Sequence, residues 1–302
     1  MSLKNKNFKI IKEIVNFDID DPVTSKVGNF YETDPFPNYE INDDLNKILQ
    51  IGDQNSFLKS LKSFIGFNKN VVEIGAGTCQ WSNYLAIGTN NNVCAFDSSF
   101  NSLEIGKNFA KKNKIKNISF VRGDIFDTIF QEESFDFLIS NGVLHHTKDP
   151  YSGFLNIIKS VKKNGYIIIG LYNKIGRFRT KVRKYIYKVL GKSVIKFIDP
   201  VLRKIDKRSH DKINAWIKDQ YNHPVESTHT FDEVLKWFDK NNIEFINSLP
   251  ELSIFNPQVE NLFQKKNRAS IFERILSQIF MIFGRPGGEG AIFIFIGKKK
   301  SI

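Results

Sequence analysis

VVEIGAGTCQWSNYLA (71–86), followed by VCAFD (93–97), decides how the rest of this chain is read. Val71, Val72 and Ile74 form a short apolar run with the length of a buried strand. Gly75 and Gly77 then permit a tight turn and a close backbone approach, because glycine carries no Cβ. The residues from Gln80 onward open a helix, and VCAFD forms a second strand that ends on an acid. Asp97 lies 24 residues after Glu73, a spacing that puts a carboxylate at a strand tip where it can accept both hydroxyls of a ribose. The unit is a nucleoside-binding βαβ.

Which nucleoside follows from what is missing. A dinucleotide fingerprint needs a third glycine where Gln80 stands. No Gly-Lys-Ser/Thr is present to cradle a triphosphate. Instead Glu73 sits inside the strand, where its charge opposes a pyrophosphate and suits cationic or hydrogen-bond-donating groups.

With these residues the chain resembles the class I S-adenosylmethionine-dependent methyltransferases, whose first motif runs acid-x-Gly-x-Gly-x-Gly. Glu73, Gly75 and Gly77 match it, and Cys79 replaces the third glycine. FVRGDIFD (120–127) looks like the family's third-strand motif, FDFLISNGVLHHTKDP (135–150) its fourth, and VKKNGYIIIGLYN (161–173) the helix, turn and fifth strand that follow. The resemblance implies a Rossmann-like α/β fold with seven strands, six parallel and one antiparallel at the C-terminus, flanked by helices and carrying a helical cap. It also implies S-adenosylmethionine as cofactor, held by Glu73, Gly75, Ala76, Gly77, Gln80, Asp97, Ser98, Asp124, Ile125 and Asn141. In that family Asp124 would meet the adenine amino group, Ile125 or Phe126 would flank the ring, and Ser140 and Asn141 would lie near the sulfonium. GAIFIFIGKKK (290–300) would insert antiparallel between the fifth and sixth strands.

Organisation follows the same frame. Residues 1–60 form an N-terminal extension and lid, 61–173 the cofactor-binding core, 174–230 a basic helical cap, and 231–302 the remainder of the core sheet. The loop GNFYETDPFPNYE (28–40) supplies Tyr31, Phe36 and Tyr39 to exclude water, and resembles the flap of a bacterial branch of the family. The Thr230–Glu233 pair forms a capping box opening a helix over 231–241, and RASIFERILSQIFMIF (268–283) is amphipathic.

The chain has 302 residues, 41% of them hydrophobic, with 28 Phe and two Cys. That composition suits a globular protein in a reducing compartment without a disulfide framework. The charged N-terminus and the lack of an 18-residue apolar run predict a cytoplasmic protein with no transmembrane segment. The formal charge of +12 is concentrated: residues 174–212 hold 14 Lys and Arg against three Asp, a net of +11. Phe178, Val182, Tyr185, Ile186 and Val189 fall on one helical stripe, and Val194, Ile198, Val201, Leu202 and Ile205 on another, separated by Gly191 and Ser193. Three readings of this segment stand: a cap with buried stripes and a solvated basic face, a nucleic-acid surface, and a surface for an anionic membrane or acidic substrate.

A sulfonium methyl is already activated, so such an enzyme aligns a nucleophile and removes its proton where it has one. Candidate catalytic residues are His145, His223, His229, Tyr31 and Tyr221. DQYNHPVESTH (219–229), a loop without apolar period, gathers two of these histidines with Asp219, Tyr221 and Glu226, and is expected to contribute to the substrate pocket. Candidate substrate contacts are Tyr39, His146, Arg177 and Arg179, the arginines as clamps for a carboxylate or phosphate. No metal site is expected, since His-x5-His with scattered acids has no ligand spacing. SNGV (140–143) stands where an exocyclic-amine methylase would carry Asn/Asp-Pro-Pro-Tyr/Phe, and no Pro-Cys pair exists for attack on a pyrimidine. These features point to a small-molecule acceptor with an S, O or N nucleophile, a small thiol among the leading candidates. A tRNA methyltransferase gripping phosphates with 174–212 is the alternative; a non-catalytic cofactor-binding regulator is a third. A homodimer is compatible with either enzyme reading.

Overall fold

The computed structural model describes residues 3–4, 7–37, 39, 43–204, 210–255, 261–283 and 291–301. Ile205 of the second apolar stripe, and Asn38 and Glu40 of the lid loop, lie outside them.

The N-terminal segment contributes β1 (Lys9–Ile11), β2 (Ile14–Asn16), α1 (Pro22–Thr33), α2 (Leu45–Gln54) and α3 (Ser56–Ile65). The βαβ unit read from the sequence follows as β3 (Asn70–Ile74), α4 (Gln80–Ala86) and β4 (Asn92–Asp97), continued by α5 (Phe100–Lys112) and β5 (Ile118–Arg122). Then come β6 (Phe135–Asn141), α6 (Pro150–Ile157), β7 (Val161–Tyr172), α7 (Phe178–Ile198) and α8 (His210–Asn222). α9 (Phe231–Lys240), β8 (Ile243–Leu249), α10 (Ile271–Phe280) and β9 (Ile292–Lys299) close the chain.

The strands form one sheet in the order β1-β2-β5-β4-β3-β6-β7-β9-β8. β3 pairs in parallel with both β4 and β6, so the chain leaves the middle of the sheet toward one edge and then returns to build the other. Such a switch point opens a crevice at the carboxyl ends of the strands, where α/β proteins bind ligands. β9 runs antiparallel between β7 and β8, as the family resemblance implied, and all but the first residue of its continuous apolar run IFIFI is buried there. β3 to β9 thus supply the seven expected strands. The addition is β1–β2, a hairpin that extends the sheet beyond β5 and was not legible in the charged N-terminal sequence.

Alternate residues of the central strands serve opposite faces. Val72, Ile74, Leu138, Ile167 and Ile169 pack under α6 and α9, while Val71, Phe137, Ile139 and Ile168 pack under α3 and α4. Both faces are covered, which explains why these strands read as unbroken apolar runs rather than alternating ones.

Three local expectations change. Residues 28–33 belong to α1 rather than to a loop: Asp21 caps it with bonds to Val23 N and Thr24 N, and Pro22 occupies its first turn. Asp219 to Asn222 complete α8, so the loop begins only at His223. The break at Gly191 is present (φ 78°, ψ −171°), but the stripe before it faces outward: Tyr185 is 71% exposed and Val189 62%.

Candidate active site

The glycine turn owes its composition to neighbouring protein as much as to a ligand. Gly75 and Gly77 have φ of 73° and 50°, the left-handed region that side chains resist. A Cβ on Gly75 would sit 2.2 Å from Val143 Cγ2, and one on Gly77 would sit 2.4 Å from the Phe36 carbonyl oxygen. The third position of the motif is also left-handed: Cys79 has φ 61°. A glycine is favoured there for that reason, and Cys79 is accommodated because Gly106 of α5 leaves room for its sulfur.

Around this turn lies a cavity of ≈400 Å³, within the range of small-molecule sites. From the first half of the sheet its wall takes Glu73, Gly75, Ala76, Gly77, Gln80, Asp97, Ser98 and Ile125. Asn141, Val143, His146, Thr147 and Tyr172 come from β6, β7 and the turn that follows β6. Tyr31, Phe36 and Pro37 of the N-terminal segment and Trp216, Asp219 and Gln220 of α8 complete it.

Asp97 is held rigidly. One carboxylate oxygen accepts from Gly77 N (2.8 Å) and the other from Ser99 N (2.8 Å), which orients the group at the tip of β4. Glu73 is buried and accepts a short bond from the Ser82 hydroxyl; burial pushes its pKa up to about 8. The buried Asn141 Oδ1 has no partner among the described residues. Asp124 does not line the cavity, and neither do Phe126 and Ser140. The Asp124 carboxylate accepts from Phe126 N (2.9 Å) and the Thr24 hydroxyl (3.1 Å), and Thr24 forms part of the wall. Over the turn, the Thr78 hydroxyl donates to the Pro37 carbonyl, and the Glu32 carboxylate accepts from Asn101 N (2.9 Å) at the start of α5. These bonds tie α1 and its loop to the floor beneath them.

The opposite wall is aromatic with a polar thread. Tyr31 donates to Asp219 (2.7 Å), whose other oxygen accepts from Gln220 Nε2 (2.9 Å); the same amide nitrogen donates to the Tyr172 hydroxyl (3.0 Å). Burial and the Asp219 carboxylate push the Tyr31 phenol well above its ordinary pKa. His146 meets the Val225 carbonyl at 2.8 Å through Nδ1. A carbonyl only accepts, so the neutral ring carries its proton on Nδ1 and presents Nε2 as a lone pair. Burial lowers the His146 pKa to about 4. His223, expected at the site, does not line the cavity but stacks behind His146 at 3.6 Å, where burial lowers its pKa to about 3.

Several expected site residues are placed elsewhere. His145 is fully buried behind the wall, stacked on Tyr172 at 3.8 Å, and burial holds it neutral. His229 is engaged by Ser227 and Glu233 and lies against Trp237. Tyr221 donates to Asp199, which also takes the Trp216 indole, inside the α7–α8 core. Tyr39 stacks on Phe109 and accepts from Asn83. Arg177 is fully buried, bidentate to Glu226 (2.9 and 2.8 Å) and stacked on Tyr172 at 3.5 Å, and Arg179 reaches the Ile282 carbonyl. Neither guanidinium lines the cavity; the buried charge of Arg177 is neutralised by an internal partner. Gln220, Trp216 and Tyr172 are wall residues to which sequence reasoning assigned no role, and Asp219 was expected only as one polar residue among several. Nothing in their spacing singles them out.

A family model described as a methyltransferase domain matches residues 65–273. The chain belongs to that family. It is a class I S-adenosylmethionine-dependent methyltransferase, with S-adenosylmethionine as its cofactor. The demethylmenaquinone methyltransferase of Staphylococcus saprophyticus is 27% identical over 186 residues, covering 60% of this chain and 76% of that protein. That of Staphylococcus haemolyticus is 30% identical over 149 residues, covering 49% and 58%. Among solved structures, the [4+2]-cyclase SpnF superposes with a TM-score of 0.53 at 10% identity, covering 93% of this chain and 97% of that one. The complex of the Haloferax volcanii Trm112 activator with a methyltransferase gives 0.50 at 11% identity, covering 85% and 95%. These structural likenesses concern the fold. The cavity of this methyltransferase suits its cofactor chemically: Asp97 offers an oriented carboxylate for a diol.

Proposed function

We propose that this methyltransferase acts on a small molecule with a flat, apolar body and one acidic O–H, N–H or S–H group. Bound S-adenosylmethionine supplies an electrophilic methyl on a sulfonium. Glu73, Asp97 and Asn141 hold the cofactor, with the Gly75–Gly77 turn beneath it. Tyr31, Phe36, Trp216 and Tyr172 sandwich the acceptor and exclude water. His146 Nε2 takes the acceptor's proton as the methyl is transferred; burial keeps this ring neutral, and so in its basic form, at neutral pH.

The observation that carries this reading is the continuity of a single ≈400 Å³ cavity from the glycine turn to an aromatic wall containing His146 and the Tyr31–Asp219 pair. An aromatic hydroxyl compound fills such a wall better than a small aliphatic thiol, so flat acceptors lead the ranking. The staphylococcal relatives are named for demethylmenaquinone, which belongs among the compounds tested. A roof made by Phe36 and Pro37 disfavours a polynucleotide acceptor.

The test is S-adenosylhomocysteine release with pools of aromatic hydroxyl compounds, aliphatic thiols, amines and bulk tRNA. Turnover with the aromatic pool, strongly reduced by His146→Gln, is the expected result. Turnover with tRNA alone overturns the assignment.

A further inference from the structure

α7 and α10 each leave an apolar stripe uncovered by the rest of the described chain. On α7, Phe178, Val182, Tyr185 and Val189 recur at helical spacing and are exposed. The opposite side faces the protein: Thr180 is buried, and Tyr187 stacks on Tyr221 at 5.6 Å. On α10, Ile271, Phe272, Ile275 and Ile279 are exposed, and Phe283 continues the row in the following turn. Isolated exposed apolar residues are ordinary, but contiguous rows mark interaction surfaces.

The start of α7 adjoins the turn that follows α10. Arg179 Nη1 donates to the Ile282 carbonyl (3.4 Å), and a Cβ on Gly176 would lie 2.8 Å from Met281 Cβ, which places Phe178 and Phe283 beside the same junction. α7 also carries seven Lys or Arg and no Asp or Glu. By helical position, the exposed Arg179 flanks its apolar stripe on one side and the exposed Lys181 and Lys188 on the other. Lys184 instead turns inward to Glu226 (3.7 Å).

We propose that this surface docks on an anionic lipid bilayer, with the apolar stripes entering the interface and the flanking cations meeting lipid headgroups. An apolar row edged by Lys and Arg on both sides is the arrangement of helices that lie in the membrane plane. A polynucleotide would neutralise the cations but offers nothing to Val182 and Val189. A second copy of the chain would bring like charges together across the same stripe. None of the described helices is long and apolar enough to cross a membrane, so the contact is peripheral. The surface begins at Phe178, a short connection away from the wall residue Tyr172 at the end of β7, so docking would place the cavity beside the bilayer.

The experiment is co-sedimentation of the full chain with phosphatidylcholine vesicles, with and without phosphatidylglycerol. Binding to the anionic vesicles is expected, weaker on neutral ones and in high salt. Partition should fall about tenfold or more in Tyr185→Glu and in Phe272→Glu, each replacing apolar area by charge. Unchanged circular dichroism would certify that these exposed-site variants fold. Absence of binding to anionic vesicles, or wild-type binding by both variants, overturns the proposal. So does tRNA binding that displaces the vesicles, or a dimer that Tyr185→Glu dissociates, since each assigns the surface to another occupant.

Discussion

The Tyr31 hydroxyl of α1 donates to the Asp219 carboxylate of α8 at 2.7 Å, joining positions 188 residues apart in the wall of the cavity. The two helices come from segments far apart in the chain, and this bond fixes how they meet beside the cavity that Tyr31 and Asp219 both line.

Tyr31→Phe is expected to lower kcat/KM about tenfold or more while leaving the melting temperature within a few degrees, because Asp219 keeps its bond from Gln220. Adding Asp219→Asn should cost little further, since both changes remove one shared interaction. A double-mutant cycle with full additivity would show that the pair does not act as a unit.

Burial raises the Glu73 pKa to about 8, so the free protein holds this carboxyl largely protonated near pH 7. S-adenosylmethionine carries positive charge, which favours the ionised carboxylate. Cofactor binding at pH 7 should therefore release a proton. Titration calorimetry in buffers of different ionisation enthalpy measures it, and Glu73→Gln should abolish it.

His146 and His223 titrate near 4 and 3 in the folded chain, against about 6.5 when unfolded. Above pH 6.5 both states hold them neutral and stability is unaffected. As pH falls below 6.5 the unfolded chain binds protons that the folded chain refuses, so stability declines until the folded values are reached. The loss is on the order of 3–5 kcal/mol per imidazole at its limit. Glu73 acts in the opposite sense between pH 8 and 4.5, which makes the comparison of wild type with His223→Gln the informative one. From pH 7 to 4 the melting temperature of the variant should fall less steeply.

Gly106→Ala places a Cβ 2.6 Å from the Cys79 side chain and the Thr78 carbonyl oxygen. Overpacking of this kind costs about 1–3 kcal/mol. Denaturant unfolding should show the loss, and Cys79→Gly in the same chain should restore part of it by removing the sulfur and relieving the left-handed backbone at that position.

The core was legible because its signals are local. Strand β3, the turn at Gly75 and Gly77, Asp97 at the end of β4 and the Thr230–Glu233 capping box each declare themselves within a few residues. The hairpin β1–β2 was not, because KII and IVN are too short to show a period and depend on the free edge of β5. The helix through Asp219 was obscured for a similar reason. Its apolar contacts, Ile213, Trp216 and Ile217, are recognisable only once α7 is there to receive them.

The sequence by itself determined the family, the cofactor and the succession of the central strands along the chain, since glycine conformation, strand hydrophobicity and motif spacing are properties of the local chain. Only the tertiary structure decided which histidine faces the cavity. His145 and His146 are adjacent and chemically identical, yet one is sealed behind Tyr172 and the other lines the wall. Burial decided equally that Arg177 belongs to Glu226 and that the stripe of α7 faces outward. Sequence periodicity shows that a helix has an apolar side; what covers that side depends on segments distant in the chain.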